Sequence, residues 1–261
     1  MFASVSRFPA FVGRAALTAT AIALFAASAR AEWSGPYIGI HAGYGWSEAD
    51  ATISPADPLA QNLFDDLILL GIPFSTLSTD GDGVLGGAQV GFNSQSGSFV
   101  WGIEADISYA DIDGSANASR TIVVNLTDVT LTEQAASELD WFGTLRLRGG
   151  VLLAPETLVY ATGGLAYGRV THSWSSTFPA SATLAAGSDR NWEIGWTVGA
   201  GAEFKLSDTL SLRGEYLYYD LGDSSYSAPF APNSGVGDAS LRVESENTGS
   251  IVRAALNFKL E

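Results

Sequence analysis

Cysteine is absent from this chain, lysine is confined to Lys205 and Lys259, and histidine to His41 and His172. Without cysteine there is no disulfide framework, no thiolate nucleophile, no thiolate-held metal and no lipid-modified cysteine. Positive charge is scarce throughout: 13 Lys and Arg stand against 28 Asp and Glu, a formal net charge of −15. A surface of that sign repels phosphate backbones, which argues against nucleic acid as a partner. Long apolar helices are also missing after residue 31, so the chain does not read as a bundle of membrane helices.

What stands before residue 32 is a leader. Arg7 and Arg14 form a positive n-region, Ala15 to Ala27 an apolar stretch too short to span, and Ala29-Arg30-Ala31 a small-residue cleavage site. Residues 1–31 are therefore expected to be a cleaved signal peptide, leaving 32–261 as one β-barrel domain. Loss of Arg7, Arg14 and Arg30, with no acid among residues 1–31, takes the formal charge from −15 to −18.

In the remainder, period-two alternation dominates, the mark of strands. It marks eight stretches, 36–46, 84–95, 99–112, 139–152, 157–170, 191–205, 209–221 and 248–260. Each can cover the roughly 9–11 tilted residues that a transmembrane strand requires. Short turns at 96–98, 153–156 and 206–208 alternate with long polar connections at 47–83, 113–138, 171–190 and 222–247. That layout predicts an all-β, eight-stranded antiparallel up-and-down transmembrane barrel with four long extracellular loops and both termini on the short-turn, periplasmic side.

Two folds share such alternation. A soluble sandwich or lipocalin buries the apolar set, whereas a membrane barrel turns it to lipid and keeps the charges inside. Aromatic residues near the strand ends, among them Trp46, Trp101, Tyr109, Trp141, Trp192, Tyr216 and Tyr218, favour the membrane barrel, since interfacial girdles belong there. The opposite face then carries Glu104, Asp106, Glu203 and Glu215 with Arg146, Arg148, Arg213 and Arg253. Four acids and four bases among glycines predict a balanced ion-pair network filling a narrow lumen. Neighbouring strands are expected to bring Glu104 and Asp106 towards Arg146 and Arg148, and Arg253 towards Arg213 and Glu215.

The segments Trp33–Trp46 (WSGPYIGIHAGYGW), Gly86–Asn93 (GGAQVGFN), Trp101–Asp106 (WGIEAD), Leu139–Arg148 (LDWFGTLRLR), Tyr160–Tyr167 (YATGGLAY), Gly195–Glu203 (GWTVGAGAE) and Glu215–Asp220 (EYLYYD) together resemble a known family. They are similar to the porin-family, outer-membrane immunogenic-protein barrels of alphaproteobacteria, which are similar in fold to the transmembrane domain of outer-membrane protein A. The resemblance covers all eight strands in order but not the loops. It implies an eight-stranded barrel in the outer membrane of a Gram-negative cell, surface exposure and a structural or porin-like role. Such barrels usually end on an aromatic residue read by the assembly machinery; here Phe258 is followed by Lys259, Leu260 and Glu261.

Few residues invite chemistry. His41 falls on the lumen face of the first strand, where packing or hydrogen bonding is expected. His172 and Ser173 open the third long connection, but a triad needs an orienting acid and an oxyanion donor that the sequence does not place. Thr79-Asp-Gly-Asp-Gly83 lacks the further ligands of a calcium loop and reads as a turn. Leu59 to Phe74 is apolar within a polar connection, and is expected to fold as a lid over the barrel mouth or to serve as a contact surface. No catalytic, cofactor-binding or metal-binding residue is assigned. The expected partners are outer-membrane lipid and lipopolysaccharide, the barrel-assembly machinery during biogenesis, and an unspecified surface ligand. The function indicated is a structural outer-membrane barrel with a packed charged lumen and acidic surface-exposed loops; the alternatives are a small porin passing ions or small solutes, or a surface adhesin or ligand-binding barrel acting through its loops.

Overall fold

Strands arise here because alternate positions offer lipid-compatible side chains on one side and small or charged ones on the other. A computed structural model of the chain describes residues 33–69, 76–124, 127–177, 183–232, 234 and 237–260. The leader expected at 1–31 lies outside the described residues, as do residues 70–74 of the apolar segment. The elements are β1 (Gly35–Pro55), α1 (Pro58–Leu69), β2 (Leu77–Ser96), β3 (Phe99–Val124), β4 (Thr127–Ala154), β5 (Thr157–Thr177), β6 (Thr183–Lys205), β7 (Leu210–Pro229) and β8 (Ser240–Lys259). Every strand is antiparallel to its chain neighbour, and β1 pairs with β8 from Tyr37↔Lys259 to Pro55↔Leu241, closing the barrel. The tight connection after Ser96 uses Gly97 at a φ of 64°, a left-handed conformation that favours glycine.

Burial is inverted relative to a water-soluble sheet. Ile103, Leu147 and Ile194 are 46%, 66% and 73% exposed, whereas Glu104, Arg146, Arg148 and Glu203 on the inner face are at most 4% exposed. The outer apolar belt runs between two rims of aromatic side chains. Towards the long connections the rings meet in pairs, Tyr44 with Trp46, Tyr109 with Trp141, Tyr167 with Trp192, and Trp196 with Tyr218, at centroid separations of 5.2–6.2 Å. At the other rim Phe99, Trp101, Phe204 and Phe258 are exposed. Aromatic girdles around an apolar band are the hallmark of a transmembrane barrel.

The four long loops expected from the sequence are instead mostly strand. Paired residues continue through 47–55, 77–83, 113–124, 127–138, 171–177 and 240–247, so the barrel carries a tall wall above its belt. The Asp80-Gly81-Asp82 stretch, expected as a turn, is ladder within β2 and pairs with Trp46, Ser47 and Glu48. Part of this wall hides its strand character because polar residues outside alternate with mere alanines inside, as in Glu48 and Asp50 against Ala49 and Ala51, or Ser115 and Asn117 against Ala116 and Ala118. Just above the outer aromatic rim the ladders shift register, between Tyr109 and Ile112 on β3, Leu139 and Trp141 on β4, and Asp220 and Asp223 on β7. On β7 the extra residue includes Gly222 at a φ of 78°, and the β6–β7 ladder stops at Trp196↔Asp220. Higher up the two strands meet again at the bridge Ala185↔Phe230.

Inside the wall, Ile53, Leu77, Trp174, Phe230, Leu241 and Val243 form an apolar core. Helix α1 covers it, placing Ala60, Leu63 and Phe64 against that core. Its start is fixed by Asp57, whose Oδ1 accepts from the backbone N–H of Leu59 and Ala60 at 3.0 and 2.9 Å, an N-cap, while Oδ2 accepts from Ser240 N at 2.7 Å. One carboxylate thus starts the helix and ties it to β8.

Two outcomes follow from this architecture. Ile103→Arg or Leu147→Arg should destabilise the folded barrel by about 2–4 kcal/mol, while Asn117→Arg on the wall costs almost nothing. Loss of heat-modifiable gel mobility for the belt variants alone is the expected readout; equal tolerance at all three sites would mean the lipid-facing side is misassigned. Asp57→Ala should raise amide hydrogen exchange across 59–69 at neutral pH without altering barrel mobility on gels. The N–H donors of Ala60 and Ser240 hold the Asp57 carboxyl below its usual range. Its contribution is therefore present above the unfolded value and lost as pH falls through the depressed one. Wild-type exchange should approach that of Asp57→Ala only under such acid conditions, and identical protection at all pH values would leave the apolar contacts as sole anchor.

Candidate functional site

The inner face of the belt brings together all eight charged residues singled out in the sequence. Glu104 and Asp106 come from β3, Arg146 and Arg148 from β4, Glu203 from β6, Arg213 and Glu215 from β7, and Arg253 from β8. Neighbour contacts are present: Arg146 Nη2 lies 2.5 Å from Glu104 Oε1 and 3.1 Å from Asp106 Oδ2, and Arg253 Nη2 lies 2.7 Å from Glu215 Oε2. The remaining pairs cross the lumen. Arg213 Nη1 reaches Glu104 Oε2 at 2.5 Å, Arg253 reaches Asp106 at 3.1 Å, Arg146 reaches Glu215 at 3.1 Å, and Arg148 reaches Glu203 at 2.7 Å. Arg148 keeps the expected approach to Glu104 at 4.0 Å but pairs more closely with Glu203, and Arg213, on the strand beside Arg253, extends to Glu104.

Two phenols missed by the sequence reading complete the network. Tyr37 OH donates to Glu104 Oε2 at 2.5 Å and accepts from Arg148 Nη1 at 3.1 Å, while Tyr160 OH donates to Glu215 Oε1 at 2.7 Å. The Arg148 guanidinium also lies over the Tyr160 ring, 4.1 Å from its centroid. Both rings are laid across the lumen by glycine: Tyr37 pairs with Gly91 and Tyr160 with Gly201, where a Cβ would overlap the phenol. The signal available in the sequence was parity, since both tyrosines fall on the lumen-facing positions of their strands. Thr144, Ser211 and Asn257 add hydrogen bonds to Asp106 and Glu203 at 2.5–2.8 Å.

Apolar layers enclose this network. On the short-turn side lie Trp33, Val100, Leu158 and Tyr160, with the Trp33 indole donating to Pro155 O at 3.0 Å. On the other side lie Leu85, Ile112, Leu139, Phe142, Leu217, Tyr219 and Ile251. Among the polar side chains that remain, His41 contacts Gln89 Oε1 and Ser108 Oγ, each at 2.7 Å. His172 belongs to β5 rather than to a loop, and it faces inward, with Glu193 Oε1 at 3.3 Å and Asn247 Nδ2 at 3.1 Å. Ser173 faces outward, so the two adjacent residues do not form a nucleophile and base. Among the described residues, no group of three or more His, Cys, Asp or Glu side chains converges as a metal site. Among them, too, no helix is long and apolar enough to cross a membrane.

The chain matches a family of known proteins. The family described as outer membrane protein beta-barrel domain matches residues 15–242. The 31 kDa outer-membrane immunogenic protein of Brucella melitensis is 36% identical over 191 residues, covering 73% of this chain and 72% of its own. The 22 kDa outer membrane protein of Rhizobium leguminosarum bv. viciae is 32% identical over 157 residues, covering 57% of this chain and 62% of its own. Among solved structures, the outer membrane protein OprG from Pseudomonas aeruginosa aligns with 88% of this chain and 99% of its own, at 12% identity and a TM-score of 0.49. Strand order, the lipid-facing belt and these relatives make the chain a bacterial outer-membrane protein that belongs to the outer membrane protein β-barrel domain family.

Proposed function

We propose that this protein is a closed structural barrel of the outer membrane, its lumen plugged by the ion-pair network and its wall raised above the cell surface. The observation that carries this reading is the set of arginine–carboxylate pairs spanning the lumen between β3 and β7, β3 and β8, β4 and β6, and β4 and β7. Eight strands leave an interior only wide enough for side chains, and here those side chains are held by charge. Apolar layers on both sides and the α1 lid support the same reading. It assigns no catalytic residue. It sets the short turns in the periplasm and the wall outside, with lipid and lipopolysaccharide around the belt and the barrel-assembly machinery inserting it.

The competing role is a small porin, and conductance separates the two. Wild-type protein in a planar bilayer should pass little current. Arg146→Ala should cost about 3–5 kcal/mol in denaturant unfolding, because the partner carboxylates lose their counter-charge. Adding Glu104→Ala should return part of that loss, a measurable coupling in a double-mutant cycle, and should raise conductance. Robust wild-type current with independent effects at the two sites would overturn the plug. Orientation has its own test: an impermeant thiol reagent on intact cells should label Asn117→Cys and spare Ser96→Cys, and the reverse pattern would invert the barrel.

A further inference from the structure

Between β6 and β7 the barrel wall has a window. The ladder ends at Trp196↔Asp220, and the strands close again only higher up, where a Cβ on Gly187 would fall 2.6 Å from Ser227 O and where Ala185 bridges to Phe230. A pocket of about 380 Å³ occupies the opening, and its lining includes Asp189, Glu193 and Ser224 with Trp192, Ile194 and Leu221. Asn191, which the ladder sets beside the buried Val170, is exposed here because the wall beside it is missing.

Charge in the window is not balanced as it is in the lumen. Glu193 is only 8% exposed, yet its partners are Asn247 Nδ2 at 2.6 Å and His172 at 3.3 Å, with no Lys or Arg among the described residues. Asp189 is the register partner of His172 and shares its inner face; its carboxylate accepts from Asn191 Nδ2 at 2.6 Å. His172 can neutralise one of these two carboxylates, not both. At the outer lip stands Asp223, with Glu246 beside it on β8 and Glu244 beside Ser225. The bases of the neighbouring strands face elsewhere. Arg190 turns to Asp140, and Arg169 and Arg242 lie on the outer surface beside Trp192 and Ser227. None of the three lines the pocket.

We propose that this window is a binding site for a linear polyamine. A carboxylate buried without a full cationic partner carries a desolvation cost, which a ligand ammonium relieves. Asp189 and Glu193 stand four residues apart on one strand face, roughly 13 Å at about 3.3 Å per residue, so a chain of separated ammonium groups serves both better than one compact ion. Ser224 Oγ is shut off from water and has no hydrogen-bond partner among the described residues, an acceptor for an ammonium N–H. Leu221, Ile194 and Trp192 offer apolar contact to the methylenes between the charges. Burial, and then the Asp189 carboxylate, raise the Tyr226 hydroxyl above its usual range, which sets an aromatic ring close to that acid; the ring stacks on His172 at 6.4 Å and is available to a cation. The pocket ends on Leu221, part of the apolar layer above the ion-pair network, so the amine is held in the wall whether or not the lumen conducts.

The test is calorimetric titration of refolded full-length protein in neutral detergent with spermidine, putrescine or magnesium at constant ionic strength. Gel mobility verifies that each variant is folded. Spermidine should bind more tightly than putrescine, and magnesium weakest. Glu193→Gln and Asp189→Asn should each weaken spermidine by roughly tenfold, the scale of one lost charge-assisted hydrogen bond. Asp113→Asn, an exposed acid on β3 across the barrel, should leave binding unchanged. Ser225→Trp, at the exposed lip, should block the pocket without touching either inner carboxylate. Equal loss from Asp113→Asn would reduce the effect to net charge. That result, binding indifferent to Glu193 and Asp189, full affinity in Ser225→Trp, or displacement of spermidine by an equal concentration of magnesium would overturn the assignment.

Discussion

Charge that cannot reach water must find charge, and the lumen is organised by that constraint. Four arginines and four carboxylates are buried to 95% or more in a space enclosed by protein. An ion desolvated alone costs several kcal/mol even after relaxation, so each arginine here extends until it meets carboxylates, across the lumen where necessary. Long side chains need clearance, and small residues on the inner face provide it. Gly91 and Gly201 do more, letting Tyr37 and Tyr160 lie flat and present hydroxyls to Glu104 and Glu215. The result braces opposite walls against flattening, within a diameter that strand number and stagger already set.

The apolar layers on either side have an electrostatic consequence. Leu85, Phe142 and Ile251 on one side and Trp33, Val100 and Leu158 on the other keep the charged layer away from bulk solvent. Lower local polarity strengthens each pair and raises the penalty of breaking one, so the network is most demanding where it is best shielded. Such a layer specifies a single arrangement of the eight strands, because a slip of one residue would carry every charge to the lipid side.

The belt was legible in the sequence because its two faces differ so sharply. Ile103 beside Glu104 and Leu147 beside Arg146 and Arg148 leave no doubt about parity, and with parity known the lumen charges follow. Partners on adjacent strands follow as well, as for Arg146 with Glu104 and Arg253 with Glu215, but those across the lumen do not, since register predicts contacts only between neighbours. Arg213 lies opposite Glu203 on β6 in the ladder, yet it reaches Glu104 on β3. The wall was missed for a different reason. Alanine inside against serine or threonine outside is a weak amphipathic signal, and an extra residue at the level of Asp140 or Gly222 shifts the period midway along a strand. His172 looked like the start of a loop because polar residues follow it on both faces of β5.

The interrupted ladder between β6 and β7 acts as a depth gauge. Hydrocarbon supplies no hydrogen-bonding partner, so a barrel strand can release its neighbour only where water or another polar environment is at hand. Trp196↔Asp220 is the last pair before the gap, at the level where Trp196 meets Tyr218. The backbone therefore records the upper limit of the acyl chains independently of any side chain, and it coincides with the limit that the aromatic rim marks. On this side of the barrel the membrane cannot thicken past that pair without stranding unpaired amides in oil. A bilayer thicker than this protein's belt would have to thin locally around β6 and β7, or leave the protein in the thinner regions it already fits.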